Sequence, residues 1–145
     1  MVAYGFQAEF IPLILERRKC GTIREERKGG GNRHARQGDT MQIYSGWRTA
    51  QARREATAEC LDARPIRMNF RYGFVKVFDG RSWIFAASLG AALSPVGLEG
   101  FAWADGFEDW DALEKFFRAK YHMPEWEFSG VWIRWDPDTL VASPR

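Results

Sequence analysis

Six consecutive residues, Lys19-Cys20-Gly21-Thr22-Ile23-Arg24, carry an amine, a thiol, a hydroxyl and a guanidinium. A threonine hydroxyl is a poor nucleophile until a base removes its proton. A lysine can be that base only when its own pKa is lowered. Neighbouring cations (Arg17, Arg18, Arg24) and partial burial both push Lys19 in that direction. If residues 22–24 are extended, Thr22 and Arg24 share one face and Ile23 enters the core. Lys19 then reaches Thr22 from the preceding turn, and the group suits an anionic or carbonyl-bearing ligand. The plain alternative is a β-favouring threonine beside a solvated lysine.

The elements that must position these groups can be read from periodicity. Residues 3–7 read as a first strand. From Ala8 to Arg18, Phe10, Leu13 and Ile14 have helical spacing, with Pro12 tolerated in the first turn. Residues 19–25 turn into a strand. Residues 28–38, with three consecutive glycines and almost no apolar side chain, read as a flexible basic loop that closes over a ligand. It lacks the GxxxxGK[ST] pattern of a P-loop.

Downstream, Thr40 to Ser45 alternates as a strand with Met41 and Ile43 on one face, and a long β segment runs from about Arg54 to Met68. Residues 73–87 read as a hairpin around Asp79-Gly80. Residues 88–100 fit no pattern. Phe107 to Tyr121 reads as a helix burying Trp110, Leu113, Phe116 and Phe117, with Asp105 as a candidate N-cap and Met123-Pro124 as its stop. Glu127 to Trp135 is the expected last strand, and residues 137–145 a loose tail. There are no internal repeats. Tyr44, Trp47 and Trp103 lie near the basic motifs and are candidates for stacking on a base, although most of the seven tryptophans are spaced as core residues.

Composition sets bounds on all of this. A chain of 145 residues, 46% hydrophobic, with seven Trp, eleven Phe and four Tyr, is expected to form one domain over residues 1–136. No apolar run approaches the roughly 20 residues of a membrane helix. There is no basic n-region before an apolar stretch, so a cytoplasmic protein, a monomer or weak dimer with no membrane partner, is the default. Cys20 and Cys60 are expected as free thiols. A cation beside Cys20 would lower its pKa, although no histidine stands at a suggestive position. Neither His34 nor His122 has metal-ligand spacing, and no metal or cofactor is implied.

The net charge of +2 hides an asymmetry. Residues 17–54 carry eleven Lys and Arg against Glu25, Glu26 and Asp39, a net of +8, so the remainder sums to −6. Such a segment is either a solvated charged face or the footprint of a phosphate-bearing partner. In the second case Arg17, Lys28, Arg33, Arg36 and Arg48 are the expected phosphate or RNA contacts.

Four segments in order resemble the ASCH family of small PUA-like domains, over about residues 4–136. They are Lys19-x-x-Thr22-x-Arg24, Gly38-Asp39-Thr40-Met41-Gln42-Ile43-Tyr44, Ala104-Asp105-Gly106-Phe107 and Gly130-Val131-Trp132-Ile133-Arg134-Trp135. The resemblance implies an α+β fold: a PUA-like β-barrel of about five to seven strands with two or more flanking α-helices. It is closest to a bacterial branch of N4-acetylcytidine amidohydrolases that uses a lysine, a threonine three residues later and a distant glutamate. By that resemblance Lys19, Thr22 and Asp105 are catalytic, Asp105 standing where the family has the longer glutamate. Arg17-Arg18 replaces the family's glycine before the lysine. Arg18, Arg24, Tyr44 and Trp47 would contact the substrate, an N4-acylated cytidine or related modified nucleoside. Thr22 would attack directly or through a positioned water. The three side chains are expected to converge at the mouth of the barrel. Other branches of the family are linked to RNA, so an RNA-binding module or weak single-strand ribonuclease using residues 17–54 is the alternative.

Overall fold

The structure, a computed structural model, describes residues 1–27, 33–88 and 97–144. In strand β1 (Val2–Phe6), Val2, Tyr4 and Phe6 are buried while Ala3 and Gly5 between them are not, as a period of two requires. The chain then makes a 3₁₀ turn over Ala8–Phe10 and one short helix, α1 (Ile11–Leu15). The helix expected to reach Arg18 stops early for an identifiable reason. Arg17 takes a left-handed φ of 66°, and the N–H groups of Arg17 and Arg18 fold back onto the carbonyls of Ile14 and Leu13. This is a Schellman closure with arginine where glycine is usual.

Strand β2 (Gly21–Arg24) follows, then β3 (Thr40–Ser45), the 17-residue β4 (Arg53–Asn69), β5 (Phe74–Phe78) and β6 (Trp83–Ser88). Helices α2 (Leu98–Ala104) and α3 (Trp110–Lys120) precede β7 (Glu127–Trp135) and a two-residue β8 (Val141–Ala142). The fold is α+β. Eight strands form a mixed sheet in the order β1-β3-β4-β5-β6, with β2 on β7, and β7 and β8 on β4. β1 and β3 are parallel, with Tyr4 opposite Ile43, while β3–β4 and β4–β5 are antiparallel.

The chain divides into two compact units that interleave in sequence: Met1–Thr22, Glu26–Ala63 and Ile133–Arg145 form one, Ile23–Glu25 and Arg64–Trp132 the other. The core of the first includes Tyr4, Phe10, Ile14, Met41, Ile43, Ile133 and Trp135. That of the second includes Ile66, Met68, Val75, Leu113, Phe117 and Phe128.

Several expectations need correction. The basic loop falls partly on residues 28–32, outside the described residues, but its far end is anchored. Buried Ala35 donates its N–H to Tyr4 Oη at 2.9 Å, and the His34 ring stacks 5.8 Å from that of Tyr4. Asp105 is not the N-cap of the long helix. It is the C-cap of α2, a helix absent from the sequence reading, which closes through Gly106 (φ 100°) and the Phe107 N–H to Ala102 O. Asp109 caps α3 instead, accepting from the Ala112 N–H at 2.7 Å. Of the apolar stripe expected on α3, Leu113 and Phe117 are buried, and Trp110 and Phe116 only partly so.

The hairpin turn is a four-residue loop in which Asp79 Oδ1 takes the N–H groups of Arg81 and Ser82. The C-terminal tail is not loose. β8 pairs with β4, Leu140 is buried, Ser143 N–H donates to Glu55 O, and Arg53 holds Pro144 O at 2.9 Å. Among the described residues no helix is long and apolar enough to cross a membrane.

Replacing Asp109 with Ala leaves the Ala112 N–H in the first turn of α3 without its acceptor. The variant is expected to lose about 1 kcal/mol of stability, measured by denaturant unfolding, whereas capping at Asp105 would have left it unchanged.

Candidate functional site

The closure at Arg17 delivers Lys19 into the first unit, where it is only 3% exposed. Its Nζ lies 5.1 Å from the centroid of the Phe10 ring and 6.0 Å from that of Phe6. Both rings come from the segment just before it, Phe6 from β1 and Phe10 from the 3₁₀ turn. Thr22, 5% exposed, follows on β2. The expected alternation is incomplete: Gly21, Thr22 and Ile23 are all buried, and only Arg24 is partly exposed. A strand covered on both faces hides its polar residue as well as its apolar one. The strand is fixed on the first unit's side by the Trp135 N–H to Cys20 O, 3.0 Å.

Among the described residues six polar or charged residues are buried: Lys19, Thr22, Glu55, Asn69, Ser88 and Asp105. Half of them are the residues the motif singles out. Glu55 has an evident structural role, accepting the Ser45 hydroxyl at 2.8 Å. Asn69 has one too, since its Oδ1 accepts the N–H groups of Arg71 and Tyr72. Asp105 belongs to the second unit and is 6% exposed. It sits at the carbonyl end of α2, where the helix dipole disfavours a carboxylate. Helix stability therefore does not account for an acid at this position.

Arg24 lies in the second unit. Its carbonyl approaches Gly130 so closely that a Cβ there would stand 2.3 Å away. Its positive charge helps lower the pKa of Lys120, after burial, which is the larger cause. Burial raises the Tyr121 hydroxyl, and Arg24 opposes that rise.

The expected substrate and phosphate contacts separate. Arg33, Trp47 and Arg48 come together in a cavity of about 300 Å³ in the first unit, bordered by Val2 and Ala3, along with Arg27, which the sequence reading counted but did not single out. Trp47 is 42% exposed and packs at 4.9 Å on Tyr44. It can lie there because residue 5 is glycine, a Cβ at that position falling 2.3 Å from Trp47 Cβ. Arg48 holds a left-handed φ of 64°. Arg27 lies 4.6 Å over the Tyr4 ring and donates to Arg33 O and Ala3 O. Arg33 is paired with Asp39 at 2.8 Å, an ion pair that lowers the Asp39 carboxyl.

The remaining expected contacts lie elsewhere. Arg17 donates its Nε to Pro137 O, Arg36 is exposed with its N–H on Asp39, and Arg18 is partly buried. Lys28 is outside the described residues. Trp103, on α2, is 53% exposed. No family model matches the chain, and neither a curated protein nor a solved structure does.

Cys20 and Cys60 are free. The lowered pKa expected at Cys20 is reversed. Burial raises it, outweighing the Lys19 and Arg17 charges that oppose the rise. Cys60 is raised to about 11, chiefly by burial. A raised pKa leaves less thiolate near neutrality. At pH 8 Cys20 should alkylate with iodoacetamide more slowly than free cysteine, and faster alkylation would restore it as a nucleophile.

Proposed function

We propose that this chain is an amidohydrolase that removes the acyl group from N4-acylated cytidine or a related modified nucleoside, on a PUA-like barrel. What carries the reading is that Lys19 and Thr22 are buried on one short segment. Asp105, standing where the amidohydrolase motif has the longer glutamate, is buried too. In this reading Thr22 Oγ attacks the acyl carbon while Lys19 Nζ takes the hydroxyl proton. The base must be the free amine. Arg24 and backbone N–H groups stabilise the oxyanion. The C–N4 bond then breaks, the proton passes to N4, and cytidine leaves. Water hydrolyses the acyl-threonine ester to the carboxylic acid and restores the hydroxyl. Asp105 is the acid that the motif assigns to proton transfer. No cofactor enters the scheme.

Incubated with N4-acetylcytidine, the parent protein should release cytidine and acetate. Lys19→Ala, Thr22→Ala and Asp105→Asn should each lower turnover by about a hundredfold or more, with folding checked by circular dichroism. No deacetylation by the parent would remove the hydrolase reading.

A second reading, RNA binding by the basic segment, is favoured by the cavity holding Arg27, Arg33, Trp47 and Arg48. Asp39 and backbone carbonyls already occupy Arg33 and Arg27, which leaves Arg48 as the cation most available to a phosphate. If RNA binds there, log affinity should fall linearly with log salt. Arg48→Ala should then flatten the slope by about 0.7, the value for one single-strand phosphate contact. A slope unaffected by Arg48→Ala would place the RNA elsewhere.

A further inference from the structure

The second unit contains a larger cavity, about 760 Å³, whose walls include no residue of the motif or of the basic segment. Its walls bring together Arg71, Tyr72, Arg118, His122, Glu125 and Trp126. We propose that this cavity binds a nucleotide, its base stacked on Trp126 and its phosphate held by Arg71.

The first support is exposed aromatic surface. Tyr72 is 67% exposed and Trp126 47%, in a chain with ample core to bury either. An indole in water next to a cavity offers a π-face to any base. Arg118 lies 3.7 Å over the Trp126 ring and is itself held by Glu114 at 2.9 Å. The guanidinium thus fixes the indole plane from one side, as half of a sandwich.

The second support is backbone strain. Glu125 (φ 56°, ψ 28°) and Trp126 (φ 65°) are consecutive non-glycine residues in the left-handed region. Each costs on the order of 1–2 kcal/mol relative to ordinary backbone. The strained pair is tied down where Trp126 O accepts the Phe70 N–H at 2.9 Å. Strain held in this way at a cavity rim is a recurrent mark of a binding site.

The third support is charge. Asn69 Oδ1 fixes the backbone of Arg71 and Tyr72, at 3.1 and 2.8 Å. The Arg71 side chain is exposed, 5.5 Å over the Tyr72 ring, and meets no carboxylate among the described residues. Glu125 adds an acceptor for ribose hydroxyls or a base amino group, and its negative charge disfavours a string of phosphates. One ring, one diol and one phosphate fit that set. This site is independent of the Lys19–Thr22 reading, since no residue is shared.

A nucleotide could arrive free or as part of a single strand, and titrating the full chain separates the two. Calorimetry with AMP and CMP, and anisotropy with a fluorescein-labelled oligoadenylate, provide the two arms. Binding in the first arm identifies free nucleotides as ligands, and binding only in the second identifies single-stranded RNA. In either case Trp126→Ala should weaken affinity by about fivefold or more. Arg71→Ala should weaken it as well, with melting temperature near that of the parent. Because both side chains are at the surface, either variant can stand in if the other fails to fold. Absence of binding in both arms would overturn the proposal, as would affinity unchanged by the substitutions.

Discussion

The constraint around which β1, the 3₁₀ turn and α1 are arranged is the burial of one lysine amino group. Lys19 lies at 3% exposure against two phenyl rings. Removing an amine from water is unfavourable by several kcal/mol unless other interactions offset it. The local architecture supplies part of that offset. β1 brings Phe6 and the 3₁₀ turn brings Phe10, and the two rings pack around the amino end of Lys19. The α1 closure then turns the chain so that the lysine points inward rather than along a helix surface. It does so with Arg17 in a conformation glycine would adopt more readily.

The two segments that carry the motif end in the same way. The turn after α1 and the turn after α2 are both Schellman closures, one through Arg17 and the other through Gly106. Each is followed or joined by a buried ionisable residue: Lys19 just past the left-handed Arg17, and Asp105 at the negative end of α2, where the helix dipole disfavours a carboxylate. The thiol between Lys19 and Thr22 behaves otherwise. Its neighbours' charges would activate it, but burial outweighs them.

Much of the strand pattern was legible because it depends on local periodicity and turn chemistry. β3 and β7 fall where alternation places them, and β4 differs by a residue at each end. What was not legible depended on tertiary context. α2 begins at Leu98, after a Gly97 N-cap that offers no side-chain hydrogen bond, so its start carries no capping signal. Asp105 and Asp109 both precede α3, and only the geometry shows that the second caps it and the first closes α2. The C-terminal segment is held by main-chain bonds to β4 that no side-chain pattern announces. The net +8 of residues 17–54 proved a poor guide to free cations. Arg17, Arg27 and Arg53 donate to backbone carbonyls, and Arg33 is held by Asp39. Trp126 is half exposed although most of the tryptophans are spaced as core residues, and its left-handed backbone is not something sequence reports.

What separates chemistry from architecture at β2 is the hydroxyl of Thr22, because valine keeps its shape and serine keeps its reactivity. The most direct measurement is the rate of cytidine release from N4-acetylcytidine by Thr22→Ser and Thr22→Val, side by side. A catalytic hydroxyl predicts that the serine protein retains turnover and the valine protein loses it. Equal rates from the two would contradict the account and leave Thr22 a strand residue.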